Sequence, residues 1–192
     1  MQWVLVNGPP GCGKDTLVGG LATYIQFMHL KVSSPLKRML AAMLNVDLRW
    51  IEENKETKIK VLGYITVRQA LIDMSEKYMK LLYGEDVMGR IASDIGRYSP
   101  SKLTVTSDSG FSIESERIIY NAGRNNCIII RLHREGCTFE GDSRHWMPDG
   151  LCKTYDLHND RSKEQLVMFG LRVITRHFPS VHLMREPDWV RL

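Results

Sequence analysis

The 192-residue sequence has few cysteines, no long apolar run and little net charge. No two of its four cysteines, Cys12, Cys127, Cys137 and Cys152, form a C-x-x-C pair, which argues against a disulfide framework and against a zinc site. No apolar run approaches the roughly 18 residues of a membrane-spanning helix, and the first residues do not resemble a signal peptide. We therefore expect a soluble, cytoplasmic protein without a membrane partner.

The length suits one α/β domain with insertions, and we predict a single domain over residues 1–192. The net charge of +4 is a weak indication of a nucleic-acid partner by itself. From Lys31 to Arg68, however, eight basic residues stand against four acidic ones, an excess of 8 − 4 = +4 that equals the charge of the whole chain. This segment either meets an acidic partner or is an ordinary solvated surface.

A glycine-rich stretch between a predicted strand and a predicted helix is the most informative part of the sequence. The apolar run Trp3-Val4-Leu5-Val6 precedes it, and apolar residues at helical spacing follow it. Glycines allow backbone N–H groups to approach a polyphosphate closely, and a following lysine reaches the β- and γ-phosphates. We predict that this stretch binds ATP through Gly8, Pro9, Pro10, Gly11, Cys12, Gly13, Lys14, Asp15 and Thr16.

The position after the lysine is unusual, because Asp15 stands where a magnesium-binding serine or threonine is common. We predict that Asp15 and Thr16 contribute to a Mg²⁺ site. Asp108 follows the β-branched run Lys102–Ser107, and ligands of doubly wound sheets bind beyond the carboxyl ends of the strands. Asp108 is therefore a third candidate metal ligand and a candidate catalytic base; the alternative is a turn-forming aspartate.

The other elements follow from periodicity and punctuation. We predict a second strand at Lys31–Ser34, a helix from Pro35, and a long helix from Val67 to Leu82 that Thr66 and Gln69 cap. Arg68 lies in the first turn of that helix, where a cation is unfavourable unless an anion is near, so it is either a phosphate ligand or an exposed arginine. A buried strand at Cys127–Leu132 precedes an aperiodic segment, His133–Asp149, that carries Arg134 and Arg144.

The order of these motifs resembles the P-loop deoxynucleoside monophosphate kinases of bacteriophages. The similar pieces are the Gly-Lys-Asp-Thr ending at Thr16, Val32–Arg38, Thr66–Gln69, Tyr83–Asp86, the strand ending at Asp108, and Leu157–Asp160. The resemblance implies a five-stranded parallel sheet with helices on both faces, ATP and Mg²⁺ on the first loop, and an acceptor-binding insert at 31–68 with Arg38 and Arg68. It also implies a lid at 133–149, whose Arg134 and Arg144, with Lys14 and Asp108, serve catalysis by positioning and charge.

The sequence departs from the family pattern at Asp108-Ser109-Gly110-Phe111, where the family resembles Asp-Val-Arg-Phe. A phosphate acceptor needs cations around it, whereas a hydroxyl acceptor needs a base and less positive charge. Gly110 in place of arginine therefore favours a hydroxyl, as in the similar phage kinases that phosphorylate 5-hydroxymethyluracil in DNA. The alternatives are a kinase of free deoxynucleoside monophosphates and a nucleotide-binding module without phosphoryl transfer; the sequence does not indicate an oligomeric state.

Overall fold

The computed structural model describes residues 1–185, which form seven strands and eight α-helices. The strands are β1 Gln2–Asn7, β2 Met28–Leu30, β3 Lys58–Ile59, β4 Ile65–Thr66, β5 Leu103–Thr106, β6 Cys127–His133 and β7 Lys153–His158. The helices are α1 Lys14–Leu21, α2 Ser34–Leu44, α3 Leu48–Glu53, α4 Val67–Asp73, α5 Leu81–Tyr83, α6 Val87–Arg97, α7 Ser112–Ala122 and α8 Lys163–His177.

Five of the strands form one sheet in the order β2-β5-β1-β6-β7, and every pair in it is parallel. The chain leaves β1 toward β2 on one side, and later crosses from β5 over β1 to β6 on the other. The adjacent strands β5 and β1 therefore lead their following segments in opposite directions, which creates the crevice where open α/β sheets bind ligands. The predicted α/β fold with a five-stranded parallel sheet is confirmed.

The core of the sheet comes from the continuous apolar runs of its central strands, because both faces of a parallel sheet are covered by helices. Most side chains of β1 and β6 are buried, with Ile128, Ile129 and Ile130 at 0% exposure. Helices α1 and α8 pack closely at Gly20, where a Cβ would lie 2.2 Å from Val167 Cγ2. Among residues 1–185, no helix is long and apolar enough to cross a membrane.

The chain divides into two units, one formed by residues 1–31 with residues 89 onward, and one formed by Val32–Met88. The sheet belongs to the first unit. The second unit has its own apolar cluster, in which Leu40, Ile51 and Val67 are fully buried, and a two-stranded antiparallel hairpin of β3 and β4 packs on it through Ile59. The prediction of a single domain over residues 1–192 stays a prediction, and residues 186–192 lie outside the described part of the chain.

The second strand of the sheet lies earlier than predicted, at Met28–Leu30 instead of Lys31–Ser34. Helix α1 ends at Leu21, just after Gly19 and Gly20, two residues that propagate a helix poorly. Ile25 and Met28 continue the helical spacing in the sequence but are not helical. Ile25 forms an isolated bridge to Leu183, and Met28 is the first residue of β2. The apolar residues of this pattern therefore belong partly to helix α1, partly to the bridge at Ile25 and partly to strand β2.

The predicted helix from Val67 to Leu82 is present but is not a uniform α-helix, since a π-helical segment at Met74–Lys80 separates α4 from α5. A π-turn takes one more residue than an α-turn, which shifts the register of the apolar face. Val67 and Ala70 before the change are buried, whereas Leu81 and Leu82 after it are 76% and 58% exposed.

Candidate active site

The glycine loop, Gly8–Thr16, joins β1 to α1 at the carboxyl edge of the sheet. Gly13 has φ +105°, which favours glycine, and a Cβ there would lie 2.5 Å from Asn159 Nδ2. Asn159 follows β7 and donates from that nitrogen to the carbonyl oxygen of Cys12 at 2.8 Å. The loop conformation therefore depends both on its own glycines and on an amide supplied by the far end of the sheet.

Lys14 is held inside the loop by its own backbone. Its Nζ donates to the carbonyl oxygens of Gly8 and Pro9, each at 2.6 Å, and lies 3.7 Å from Cys12 Sγ. Burial lowers the pKa of Lys14, and the nearby Arg144 guanidinium lowers it further, against the opposing effect of Cys12. An anion in the loop would favour the charged form of this lysine, which is what polyphosphate binding requires.

Asp15 belongs to a chain of polar groups that the sequence did not reveal. The Ser107 hydroxyl donates to Asp15 Oδ1 at 3.1 Å, and Lys31 Nζ lies 3.3 Å from the same oxygen. His29 Nε2 lies 2.9 Å from Ser107 Oγ. Because the single hydroxyl proton of Ser107 goes to the carboxylate, His29 is the donor in that pair, so its other ring nitrogen is an acceptor.

The charge state of Asp15 follows from these neighbours. Partial desolvation of the Asp15 carboxylate by the surrounding atoms would raise its pKa even though much of the side chain is exposed, but Lys31, the Ser107 hydroxyl and His29 together lower it below its ordinary value. Burial and the Lys31 ammonium likewise lower the pKa of His29, which is therefore neutral at pH 7. The result is a fixed carboxylate at the start of α1, three-quarters exposed.

Asp108 lies just beyond β5, half-buried, at the crevice between β5 and β1. It is close enough to interact electrostatically with Arg144 and with His29. The structure therefore brings the predicted Lys14, Asp108 and Arg144 to one edge of the sheet, since Arg144 also acts on Lys14. A carboxylate near a guanidinium that also acts on a half-buried ammonium suits the stabilisation and deprotonation of a reacting group.

Arg144 reaches this edge because Gly110 has no side chain. A Cβ on Gly110 would lie 2.5 Å from Arg144 Cγ and 2.6 Å from both Cβ and Cδ. The backbone N–H of His145 donates to the Gly110 carbonyl at 3.1 Å, which fixes the long loop against this turn. The aliphatic part of the Arg144 side chain thus lies against Gly110, the position at which the phage deoxynucleoside monophosphate kinases that the sequence resembles carry an arginine.

The Arg144 guanidinium is bound to Asp142 through two hydrogen bonds, Nε to Oδ1 at 2.8 Å and Nη2 to Oδ2 at 2.6 Å. These bonds raise the pKa of Arg144 despite its burial, with Asp108 contributing in the same direction. The cation at this edge therefore comes paired with a carboxylate, so the local positive charge is smaller than that of an unpaired arginine.

The beginning of the long loop contacts the glycine loop on its other side. Arg134 is exposed, and its Nη1 donates to the Gly11 carbonyl at 3.1 Å. A cavity of about 340 Å³ opens beside it, and its lining includes Trp146, His158 and Asn159. The His133 ring stacks on Trp146 with centroids 4.4 Å apart and on His158 at 5.1 Å. A cavity with stacked aromatic rings next to the glycine loop is suited to a planar base attached to a polyphosphate.

Sequence reasoning missed the residue that holds these segments together, Asn7 at the end of β1. Its Nδ2 donates to the carbonyl oxygens of Ser109 and His145, at 2.8 and 3.0 Å, and its Oδ1 accepts from the Met147 N–H at 2.9 Å. Asn7 is fully buried. A polar residue ending an otherwise apolar central strand was the available signal, since buried amides need several partners.

The remaining predicted residues lie in the Val32–Met88 unit or on the loop surface. Arg68 pairs with Glu56, which accepts from both Nε and Nη2 at 2.7 Å, so the anion near this first-turn cation is a neighbouring carboxylate. Arg38 is exposed on α2. Thr16 and Pro10 are exposed on the glycine loop, whereas Pro9 is buried. The roles predicted for these residues stay predictions.

The residues near the loop are compatible with magnesium. Mg²⁺ is typically held by one or two carboxylates, water and substrate phosphates, instead of a cage of protein ligands. Asp15 is ionised and exposed and Asp108 is half-buried at the same edge, so oxygen donors are available. Within residues 1–185, no group of three or more His, Cys, Asp or Glu side chains is placed to hold a metal alone.

Comparisons with known proteins do not place the chain in a family. No family model matches it, and no curated protein matches its sequence. Among solved structures, an unliganded sugar kinase from Janibacter sp. HTCC2649 is similar over 94% of this chain and 97% of that one, with 14% sequence identity and a TM-score of 0.45. A likeness at this level identifies neither a family nor an activity.

Proposed function

We propose that this chain is a P-loop kinase that transfers the γ-phosphoryl group of ATP to the hydroxymethyl group of 5-hydroxymethyl-deoxyuridine in DNA. The observation that carries this proposal is that Arg144, whose stem packs on Gly110 just beyond β5, interacts electrostatically with both Asp108 and Lys14. The loop and its lysine suit the donor phosphates, and the carboxylate suits the activation of an alcohol. The resemblance to phage kinases supplies the particular substrate.

The donor would lie with its phosphates in the glycine loop. Backbone N–H groups and Lys14 Nζ would bind the β- and γ-phosphates once the lysine leaves the carbonyl oxygens of Gly8 and Pro9. The base of the nucleotide would lie in the cavity lined by His133, Trp146 and His158. Asp15 and Asp108, with Thr16, are the residues that would hold magnesium. When bound, the ion would neutralise charge on the β- and γ-phosphoryl oxygens.

The acceptor chemistry is a displacement at phosphorus. The alcohol oxygen forms a bond to the γ-phosphorus while the bond to the bridging oxygen breaks, ADP leaves, and the alcohol proton goes to the Asp108 carboxylate. Arg144 would offset charge on the transferred group, and its pairing with Asp142 limits the positive charge near the acceptor. A neutral alcohol tolerates this arrangement better than a phosphate dianion does.

A kinase of free deoxynucleoside monophosphates is the second candidate, and one contact favours it. Because the aliphatic part of Arg144 packs on Gly110, the Arg144 guanidinium lies near the position at which the similar phage deoxynucleoside monophosphate kinases carry an arginine. An acceptor phosphate that displaced Asp142 from Arg144 would gain a cation there. The two candidates differ in whether the acceptor needs a base.

The variant Asp108→Asn separates them, because it keeps the shape of the side chain and removes the proton acceptor. With hydroxymethyluracil DNA as acceptor and saturating magnesium, we expect the rate to fall by about 10²-fold or more. A rate that falls by less than threefold on DNA would remove Asp108 from the role of base. Efficient turnover of deoxynucleoside monophosphates by both proteins, with no labelled DNA, would establish the second candidate.

A further inference from the structure

The hairpin of the Val32–Met88 unit, residues 57–66, carries exposed apolar side chains at its tip that do not contribute to the apolar cluster of the unit. Val61 and Tyr64 are 80% and 60% exposed, while Ile59 beside them is buried and Leu62 and Ile65 pack on the apolar cluster of the unit. The inward side chains therefore anchor the hairpin, and the outward ones gain no burial. Two large apolar side chains left exposed on one short, anchored turn make this tip a candidate contact surface.

The backbone of the tip strengthens this argument. Tyr64 has φ +64°, a left-handed conformation that bulky residues rarely adopt and that glycine or asparagine would occupy with less strain. Its N–H donates to the Ile59 carbonyl at 3.0 Å, and the Gly63 N–H donates to the Lys60 carbonyl at 3.1 Å, so the turn is closed by hydrogen bonds. A strained tyrosine at an exposed tip points to a role for its ring outside folding.

The charge of the hairpin indicates the class of partner. From Thr57 to Thr66 the sequence has two lysines, Lys58 and Lys60, and no acidic residue. Both lysines are exposed, and neither has an ion-pair partner among the described residues. Other basic side chains of this unit are paired: Lys37 with Glu52 at 2.7 Å and Arg68 with Glu56 at 2.7 Å. Besides Arg38 on α2, the basic residues of this unit without an ion pair within residues 1–185 are therefore the two lysines beside the protruding side chains.

We propose that this hairpin docks on duplex DNA, with Lys58 and Lys60 on phosphates and with Val61 and Tyr64 inserted into the base stack. Apolar wedges between base steps and tyrosine rings stacked on bases are common ways of opening a duplex. An enzyme that modifies a base must bring it out of the stack, and side chains that fill the space favour that state. This inference rests on the proposed function, because phosphorylation of a base in DNA is the reason for opening the duplex.

The experiment uses the full chain and a duplex with one hydroxymethyluracil next to 2-aminopurine, whose fluorescence rises when it unstacks. We expect Tyr64→Gly to reduce affinity by about 5- to 100-fold, the range for loss of a stacked base, and to abolish the fluorescence rise. Because glycine relieves the left-handed backbone, Tyr64→Gly should melt no lower than the unmutated protein. Tyr98→Ala, which removes another exposed tyrosine, is the matched control.

The lysines are tested by salt dependence. We expect the double variant Lys58→Gln/Lys60→Gln to reduce the slope of log affinity against log salt by about 2, since each neutralised phosphate contributes about 0.9. The control Lys102→Gln/Lys163→Gln removes the same charge from exposed positions elsewhere. The loss caused by Tyr64→Gly should be smaller on a single-stranded oligonucleotide with the same base than on the duplex, because no stack has to be opened.

Failure of this inference and failure of the proposed function give different results. If the enzyme phosphorylates the duplex and the hairpin variants behave as their controls do, the hairpin inference is wrong and the proposed function stands. If the protein binds the duplex through the hairpin but phosphorylates only free deoxynucleotides, the docking surface stands and the proposed function fails. Absence of both duplex binding and DNA phosphorylation would overturn both.

Discussion

The contact between Gly110 and Arg144 makes a quantitative prediction about stability. In Gly110→Ala, the new Cβ would lie 2.5–2.6 Å from the Cβ, Cγ and Cδ atoms of Arg144, closer than non-bonded carbons approach. The Arg144 Cβ is fixed to the backbone, and the His145–Gly110 hydrogen bond of 3.1 Å holds that backbone in place. The loop therefore has to shift, and overpacking of this kind costs about 1–3 kcal/mol.

The expected thermal effect follows from the size of the chain. For 150–250 residues, 1 kcal/mol corresponds to about 2–4 °C in melting temperature, so Gly110→Ala should lower the Tm by roughly 2–12 °C. The matched control is Gly19→Ala on α1, where a Cβ meets nothing within 4 Å and alanine improves helix propensity. That control should be neutral or slightly stabilising.

The source of the loss is tested in two further backgrounds. Arg144→Ala removes Cγ and Cδ but leaves the Cβ contact at 2.6 Å, whereas Arg144→Gly removes all three atoms. The cost of Gly110→Ala should therefore be partly relieved in Arg144→Ala and almost completely relieved in Arg144→Gly, as a double-mutant cycle measures. An equal cost in all three backgrounds would refute the contact on which the placement of Arg144 depends.

Three further substitutions test the glycine loop and its neighbours. Lys14→Ala should abolish phosphoryl transfer in a protein whose circular dichroism is unchanged, and substantial remaining transfer would remove the P-loop assignment. Asp15→Ser should shift the magnesium concentration needed for half-maximal rate, and an unaltered titration would place Asp15 outside the metal site. For His29, burial lowers the folded-state pKa, so the unfolded chain binds protons more readily and stability falls as the pH drops below about 6.5. Because the pKa of His177 is lowered too, the measurement is the difference in urea midpoint between the unmutated protein and His29→Gln, which should lose less stability on acidification.

The central sheet was predictable because its strands are marked by composition. Cys127–Leu132 is a continuous apolar run, and the glycine loop follows another, so two central strands and the loop between β1 and α1 could be read locally. β2 was misplaced because it has only three residues and its apolar members continue the spacing of α1. A three-residue edge strand has too few apolar residues for its sequence to be told apart from a continuation of the preceding helix.

The site was only partly predictable because its contacts join distant parts of the chain. Lys14 and Asp108 follow strands, so the rule that ligands bind at the carboxyl edge of a sheet was enough to bring them together. The packing of Arg144 on Gly110 joins residues 34 positions apart, and the bond of Asn159 to Cys12 spans 147. The departure at Gly110 was visible in the sequence, but the side chain that fills the space was not.

The most direct test of the central claim is transfer of label from γ-labelled ATP to two competing acceptors in one reaction. The acceptors are duplex DNA with 5-hydroxymethyluracil and an equimolar mixture of the deoxynucleoside monophosphates, with thymine-containing DNA of the same sequence as the control. We expect label on the hydroxymethyluracil DNA, no label on the thymine duplex, and no labelled product from Lys14→Ala. Label on the free nucleotides alone would replace the proposed acceptor, and label on neither acceptor would contradict the assignment of a kinase.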